Sequence, residues 1–255
     1  MRGFFHDIGK LLRAVKEMGV LRTGKYALFV LRARLMRMSD QKKDSHLGVK
    51  TRENVQLETL DVCSENKQHG FSFVPSSERM VRVMLANLPE NLSQFSFVDF
   101  GSGEGRVLLV AAAFPFREVI GVEFAKELHE LAIQNIAHVF PSSTKRDRIT
   151  SLHLDATQFE IPRHECLLYF YNPFGEHIFE QVLKNIERAH DECGKKMFVL
   201  YQQVVAEFET DKTTNVSLLN AAPFLKERKV RFPTLWDRFL LGSHELHIFE
   251  TRIPS

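Results

Sequence analysis

The run Phe97-Val98-Asp99-Phe100-Gly101-Ser102-Gly103-Glu104-Gly105-Arg106 leaves little choice of local structure. A short apolar segment, Phe95–Phe100, reads as a strand. Three alternating glycines follow, and then Arg106–Phe114, apolar on nearly every side as in a buried helix. Glycines at a strand-to-helix turn permit left-handed backbone angles and let a ligand lie directly against the main chain. The helix start offers free N–H groups to an anionic part of that ligand. A dinucleotide fingerprint would need a third glycine at position 106, where Arg106 stands, and the Gly-Lys-Ser/Thr of a phosphate loop is absent.

The rest of the chain repeats the strand-then-helix alternation. Strands are expected at Val119–Phe124, Ile149–Leu154, Leu167–Tyr171 and Lys196–Gln202, with a closing pair at Leu225–Phe232 and Glu245–Arg252 around a loop containing Trp236. Helices are expected at Lys126–Phe140 and through Ile178, Phe179, Val182, Leu183, Ile186 and Ala189. A further helix begins at Pro75-Ser76-Ser77-Glu78 and is stopped by Pro89. The pattern predicts an α/β, Rossmann-like doubly wound sheet of seven strands with a C-terminal antiparallel hairpin. In such sheets ligands sit outside the carboxyl ends of the strands, near the point where strand order reverses.

Unusual residues fall at those ends. Glu123 closes the second strand, 18 residues beyond Gly105, where a carboxylate can accept both hydroxyls of a ribose. Asp155-Ala156 follows the third strand. Asn172-Pro173-Phe174 ends the fourth.

Taken in order, FVDFGSGEGR, the Gly121-Val122-Glu123 strand, Asp155 and the Asn-Pro-Phe turn resemble class I S-adenosylmethionine (SAM)-dependent methyltransferases over roughly residues 71–203. The likeness extends to bacterial members of undefined substrate. Asp44–Thr51, with Gly48, looks like a linker those proteins carry. The glycine loop is also similar to that of the non-SET nucleosomal lysine methyltransferases. The resemblance implies SAM as cofactor. It puts Asp99, Gly101, Ser102, Gly103 and Gly105 at the methionine end, Glu123 and Phe124 at the ribose, and Asp155 and Ala156 at the adenine. Ser76, with Ser77, would lie over the cofactor. Asn172, Pro173 and Phe174 would form the acceptor side and carry catalysis. N-methyltransferases have two prolines in that turn and this chain has one, so methylation of a DNA base is not implied. His153, Tyr169, Tyr171 and Tyr201 are the candidates for a proton acceptor.

Residues 1–45 carry a charge of about +7 against about −5 for the remainder. They read as a basic helical extension, helical over 4–38 with a break at Gly19 and Gly24; Leu28, Leu31, Leu35 and Met38 repeat at helical spacing. Residues 46–70 read as a linker or cap, and 71–255 as the methyltransferase domain. Cys63, Cys166 and Cys193 lack metal or disulfide spacing, so no metal is expected and a cytoplasmic setting is. No apolar run reaches the ~18 residues of a membrane span. Methyl transfer to a nitrogen of a protein or small molecule is the leading reading. Two others stay open: a nucleic-acid methyltransferase gripping phosphates with the basic helix, and a non-catalytic SAM-binding protein that docks on a partner or membrane surface. The acceptor and the oligomeric state are not legible.

Overall fold

A computed structural model describes residues 19–49, 76–88, 91–142, 144–204 and 215–252. Expectations for residues 1–18, for the stretch 50–75 and for Pro89 lie outside them.

Helix α1 (Val20–Leu47) precedes α2 (Glu78–Leu85). Then β1 (Ser96–Phe100), α3 (Arg106–Ala111), β2 (Glu118–Glu123), α4 (Lys126–Val139), β3 (Ile149–His153), β4 (Cys166–Tyr171), α5 (Glu176–Cys193) and β5 (Met197–Val204) alternate, and α6 (Asn215–Ala221), β6 (Leu225–Arg228), α7 (Leu235–Leu240) and β7 (His244–Thr251) close the chain. The seven strands form one sheet in the order β3-β2-β1-β4-β5-β7-β6. β1 to β5 are parallel, while β7 runs antiparallel to both β5 and β6. The chain builds outward from β1 through β2 to β3 and returns to place β4 on the other side of β1. The strand order therefore reverses at β1 and β4. Register aligns Phe100 with Val122 and with Phe170, so the glycine loop, Glu123 and Asn172 emerge at one edge.

Alternation along the strands feeds two apolar layers. Val98, Phe100, Phe170, Val199 and Tyr201 face α5, whose Ile178, Phe179, Val182 and Ile186 repeat at helical spacing. Phe97, Val119, Tyr169 and Leu200 face the opposite side, with Val81 and Met84 of α2 and Leu108 of α3. At about 1.5–3 kcal/mol for each large apolar side chain buried, these layers supply most of the driving force for folding.

α1 departs from expectation at both ends. It passes through Gly24 unbroken and continues beyond Met38 to Leu47. An internal glycine costs a helix only about 1 kcal/mol, which tertiary contacts offset. The stop comes at Gly48, left-handed at φ 68°, whose N–H reaches the carbonyls at Asp44 and Ser45. The contacts are specific. Met36 packs with Met80, Val83, Leu240 and Leu241. The helix has two acids, Asp40 and Asp44, and both point inward. Asp40 accepts the N–H of Glu78 (3.3 Å) at the start of α2. Arg106 pairs with Asp44 and stands 3.8 Å from Asp40. A cation at the first position of a helix opposes the helix dipole; the two carboxylates from α1 offset that cost. Burial holds the Asp40 carboxyl above its ordinary range, and Arg106 only partly draws it back.

The C-terminal region also differs. Trp236 lies on α7 rather than in a loop, because Thr234 and Asp237 form a capping box: the Asp237 N–H donates to the Thr234 hydroxyl (3.0 Å), and the Thr234 N–H to the Asp237 carboxylate (3.1 Å). β6 is shorter than expected and ends at Arg228, the last of its residues paired with β7. α6 was not anticipated.

Arg106→Met should lower the free energy of unfolding at neutral pH by about 2–4 kcal/mol, because Asp40 and Asp44 are left largely buried without their cation. The loss should shrink as acid protonates them, measured by denaturant melts at neutral and mildly acidic pH.

Candidate functional site

Gly101, Gly103 and Gly105 all take positive φ, at 77°, 52° and 83°. Two of them also serve close approach. A Cβ at Gly101 would stand 2.9 Å from the Cβ of Pro173, and one at Gly105 would stand 3.1 Å from that of Ala132 on α4. The first contact joins the glycine loop to the Asn-Pro-Phe turn, and the second seats α4 against the loop.

Glu123 is buried. Its carboxylate accepts the N–H of Gly103 and the N–H of Ala125, each at 2.8 Å. Burial raises its pKa, and these backbone donors hold the rise in check. The end of β2 and the middle of the loop are thus tied together by one side chain. Asp99 is buried as well, and its Oδ2 has no hydrogen-bond partner. Burial, together with the charge of Glu123, pushes its carboxyl well above the usual range. Ser76 lies on the same side of the sheet, where its hydroxyl accepts from Tyr169 (3.1 Å) and its carbonyl accepts from Arg106 (3.4 Å).

Between these elements lies a narrow cleft of about 40 Å³, lined by Gly101, Phe124, Asp155, Ala156, Pro173 and Phe174 among others. Six of the residues singled out from sequence therefore meet in one place. Asp155 also does local work: one carboxylate oxygen accepts from the N–H (2.9 Å) and hydroxyl (2.7 Å) of Thr157, capping the turn Ala156–Gln158. Phe174 is largely buried and packs edge-on to Phe170. It forms the wall of the cleft and is also part of the core.

Asn172 holds a left-handed φ of 38°, a value no other non-glycine takes among the described residues. Asparagine tolerates this region better than most side chains. Its Oδ1 accepts from the Tyr201 hydroxyl (2.7 Å), whose oxygen accepts in turn from Asn215 Nδ2 (3.0 Å); the same amide nitrogen donates to the Phe174 carbonyl (3.0 Å). This chain of bonds fixes the turn. In sequence Tyr201 reads as a packing residue or a proton acceptor, and neither reading anticipates its bond to Asn172. Asn215 carries no sequence signal, since an Asn after a polar stretch reads as a plain helix start. Gln202, on β5 between Tyr171 and Leu246, was also missed: it is fully buried, with both polar atoms unpartnered. His153 sits away from the cleft, bonding the Phe124 carbonyl and stacking on His129. Among the described residues no helix is long and apolar enough to cross a membrane.

No protein-family model and no curated protein matches the sequence. Among solved structures, the fold is similar to the 23S rRNA methyltransferase ErmE (12% identity, 71% of this chain and 70% of that one, TM-score 0.47). It is also similar to the methyltransferase YhhF of Escherichia coli (12% identity, 76% and 92%, TM-score 0.49). A third is the plantazolicin methyltransferase BpumL in complex with SAH (11% identity, 69% and 83%, TM-score 0.42). Overlaps this loose carry no argument on their own. The strand order, with β7 antiparallel, is independent of them and is that of the expected Rossmann-like sheet with a C-terminal antiparallel hairpin.

Asp99→Asn should stabilise the ligand-free protein at about pH 7. A buried carboxyl with a raised pKa favours folding below its unfolded pKa of 3.8, and that advantage is lost as pH rises through the folded value. The gain over wild type should therefore fade toward about pH 4, followed by thermal melts across that range.

Proposed function

We propose that the cleft binds SAM and that the chain transfers its methyl group to a nitrogen of a protein or small molecule. The observation that carries the reading is Asp99, buried beside the glycine loop and the end of β2 with the Oδ2 of its carboxyl unpartnered. An isolated buried carboxylate is costly unless a cation or a donor meets it. The methionine end of SAM brings an ammonium group to this place in the fold. The flanking residues fit the rest of the molecule. Glu123 has the chemistry to accept ribose hydroxyls. Asp155 and Ala156 stand where the resemblance puts the adenine, and the cleft walls of Phe124 and Phe174 are apolar.

SAM, when bound, supplies a methyl group on a sulfonium. The chain's own residues then have little covalent work and act by orientation. The Asn172 Oδ1 has a second lone pair beside the one that Tyr201 occupies. It can accept from an N–H of the incoming amine and aim the nitrogen lone pair along the line to the methyl carbon. Pro173, packed on Gly101, sets the distance between the acceptor turn and the cofactor loop.

Calorimetric titration of SAM should give micromolar binding to wild type and a loss of about ten-fold or more, about 1.4 kcal/mol, for Glu123→Ala. The absence of binding to wild type would sink the proposal. For the acceptor side, Asn172→Ala should bind SAM normally yet slow labelling of acceptors in a lysate supplied with labelled SAM by about ten- to a hundred-fold. Undiminished labelling would remove Asn172 from the reaction.

A further inference from the structure

Helix α1 keeps its two acids inward and leaves an outer face with no counterpart in the fold. At about 100° per residue, Val20, Leu21, Leu28, Leu31, Leu35 and Met38 fall within about 100° of one another around the helix. Four of them are open to solvent: Val20 is 76% exposed, Leu21 78%, Leu31 47% and Met38 57%. A helix that used this band for the core would have buried it; the burial instead goes to Met36 and Asp40.

The neighbouring helix adds to the same side. α7 lies against α1 through Arg32, whose guanidinium covers the Phe239 ring at 5.1 Å, and Leu35 and Phe239 share the small cluster around Met36. At the start of α7, Leu235 is 85% exposed and Trp236 52%, the indole lying on Phe239 with ring centroids 5.3 Å apart. Two helices thus raise apolar side chains, a tryptophan among them, out of one face of the protein.

The charge around the band has one sign. Arg34 and Lys42 are exposed, and neither has an acidic partner among the described residues; Arg22 and Arg37 are exposed too, on the far side of the helix. Arg34 borders the band and Lys42 continues it. Asp40 and Asp44, the acids that could neutralise them, are committed to Arg106 and α2.

We propose that α1 and the start of α7 form a docking surface for an anionic lipid membrane, with the band and Trp236 entering the headgroup region and Arg34 and Lys42 meeting the lipid charges. Apolar side chains flanked by unpaired cations, on a helix lying along the surface, are the chemistry of peripheral insertion. Tryptophan favours the membrane–water boundary because its ring is apolar and its N–H polar. A nucleic acid would use the cations but would gain nothing from Val20, Leu21, Leu31 and Met38. A second copy of the chain would bring the same positive charge to the contact. The proposal does not depend on SAM binding or on methyl transfer.

The test is sedimentation of the full chain with vesicles of phosphatidylcholine plus phosphatidylserine, and with vesicles of phosphatidylcholine alone. Retention is expected on the anionic vesicles and not on the neutral ones. Two double variants, Leu31→Asp with Trp236→Ser and Arg34→Glu with Lys42→Glu, should each weaken it by about ten-fold or more. All four substituted side chains are exposed, so both variants should keep the wild-type melting temperature and SAM affinity. No retention on anionic vesicles, equal retention on neutral ones, or retention untouched by the substitutions would overturn the proposal. So would a concentration-dependent dimer broken by Leu31→Asp with Trp236→Ser, or RNA binding that anionic vesicles fail to displace.

Discussion

The carboxylate of Glu123 binds two backbone amides in the interior, one from the glycine loop and one from the start of α4. Hydrogen bonds from main-chain donors to a buried anion are among the stronger ones available to a protein, and here they add to the Gly101 and Ser102 amides on the Val122 carbonyl in holding the loop against β2. The loop must take left-handed angles at Gly101, Gly103 and Gly105, which leaves its amides aimed inward in need of acceptors. β2 must end at the same level as β1, which the parallel register ensures. Given that join, Gly101 comes against Pro173 and Gly105 against Ala132, and the cleft takes its shape. Each of the two Glu123 oxygens keeps a second lone pair, so an incoming hydroxyl can be accepted there with both backbone bonds in place.

Most of the sheet was legible because periodicity and punctuation agree there. The strand ends carry glycine, acid or proline, and the central strand β4 is apolar along its length as a buried parallel strand should be. Where reading failed, the deciding interactions were tertiary. α1 runs past Met38 because Asp40 and Asp44 find Arg106 and the start of α2, partners far along the chain that no window can see. Trp236 looked like loop because strand pairing was sought on either side of it, while the Thr234 and Asp237 caps pointed to a helix. For the cleft, the residues named from sequence do meet, but their local duties were hidden. Asp155 caps a turn and Phe174 belongs to the core as much as to the cleft. The amide of Asn215 became visible only once α6 lay beside the turn.

The Asn172-Pro173-Phe174 turn shows how a position can be strained and still be firmly held. Asn172 occupies a left-handed conformation, yet its side chain, the Tyr201 hydroxyl and the Asn215 amide form a continuous path of hydrogen bonds ending on the Phe174 carbonyl. A turn secured from both sides presents its remaining lone pair in a fixed direction. Gln202, one strand along on the other face of the sheet, has polar atoms with no partner in the described structure. Such atoms are rare in interiors, because leaving them unmatched costs about 1–3 kcal/mol each.

The pairing of Asp44 with Arg106 has a consequence for the order of events during synthesis. The two residues are 62 apart in sequence. At about 5–20 residues per second, some 3 to 12 s separate the making of the helix from the making of its cation. Through that interval the N-terminal helix has left the ribosome's active centre with its inward acids unmatched and its apolar band uncovered. A nascent chain in this condition is suited to capture by a chaperone, and the sheet that finally anchors the helix cannot close until β7, the last strand made, enters between β5 and β6.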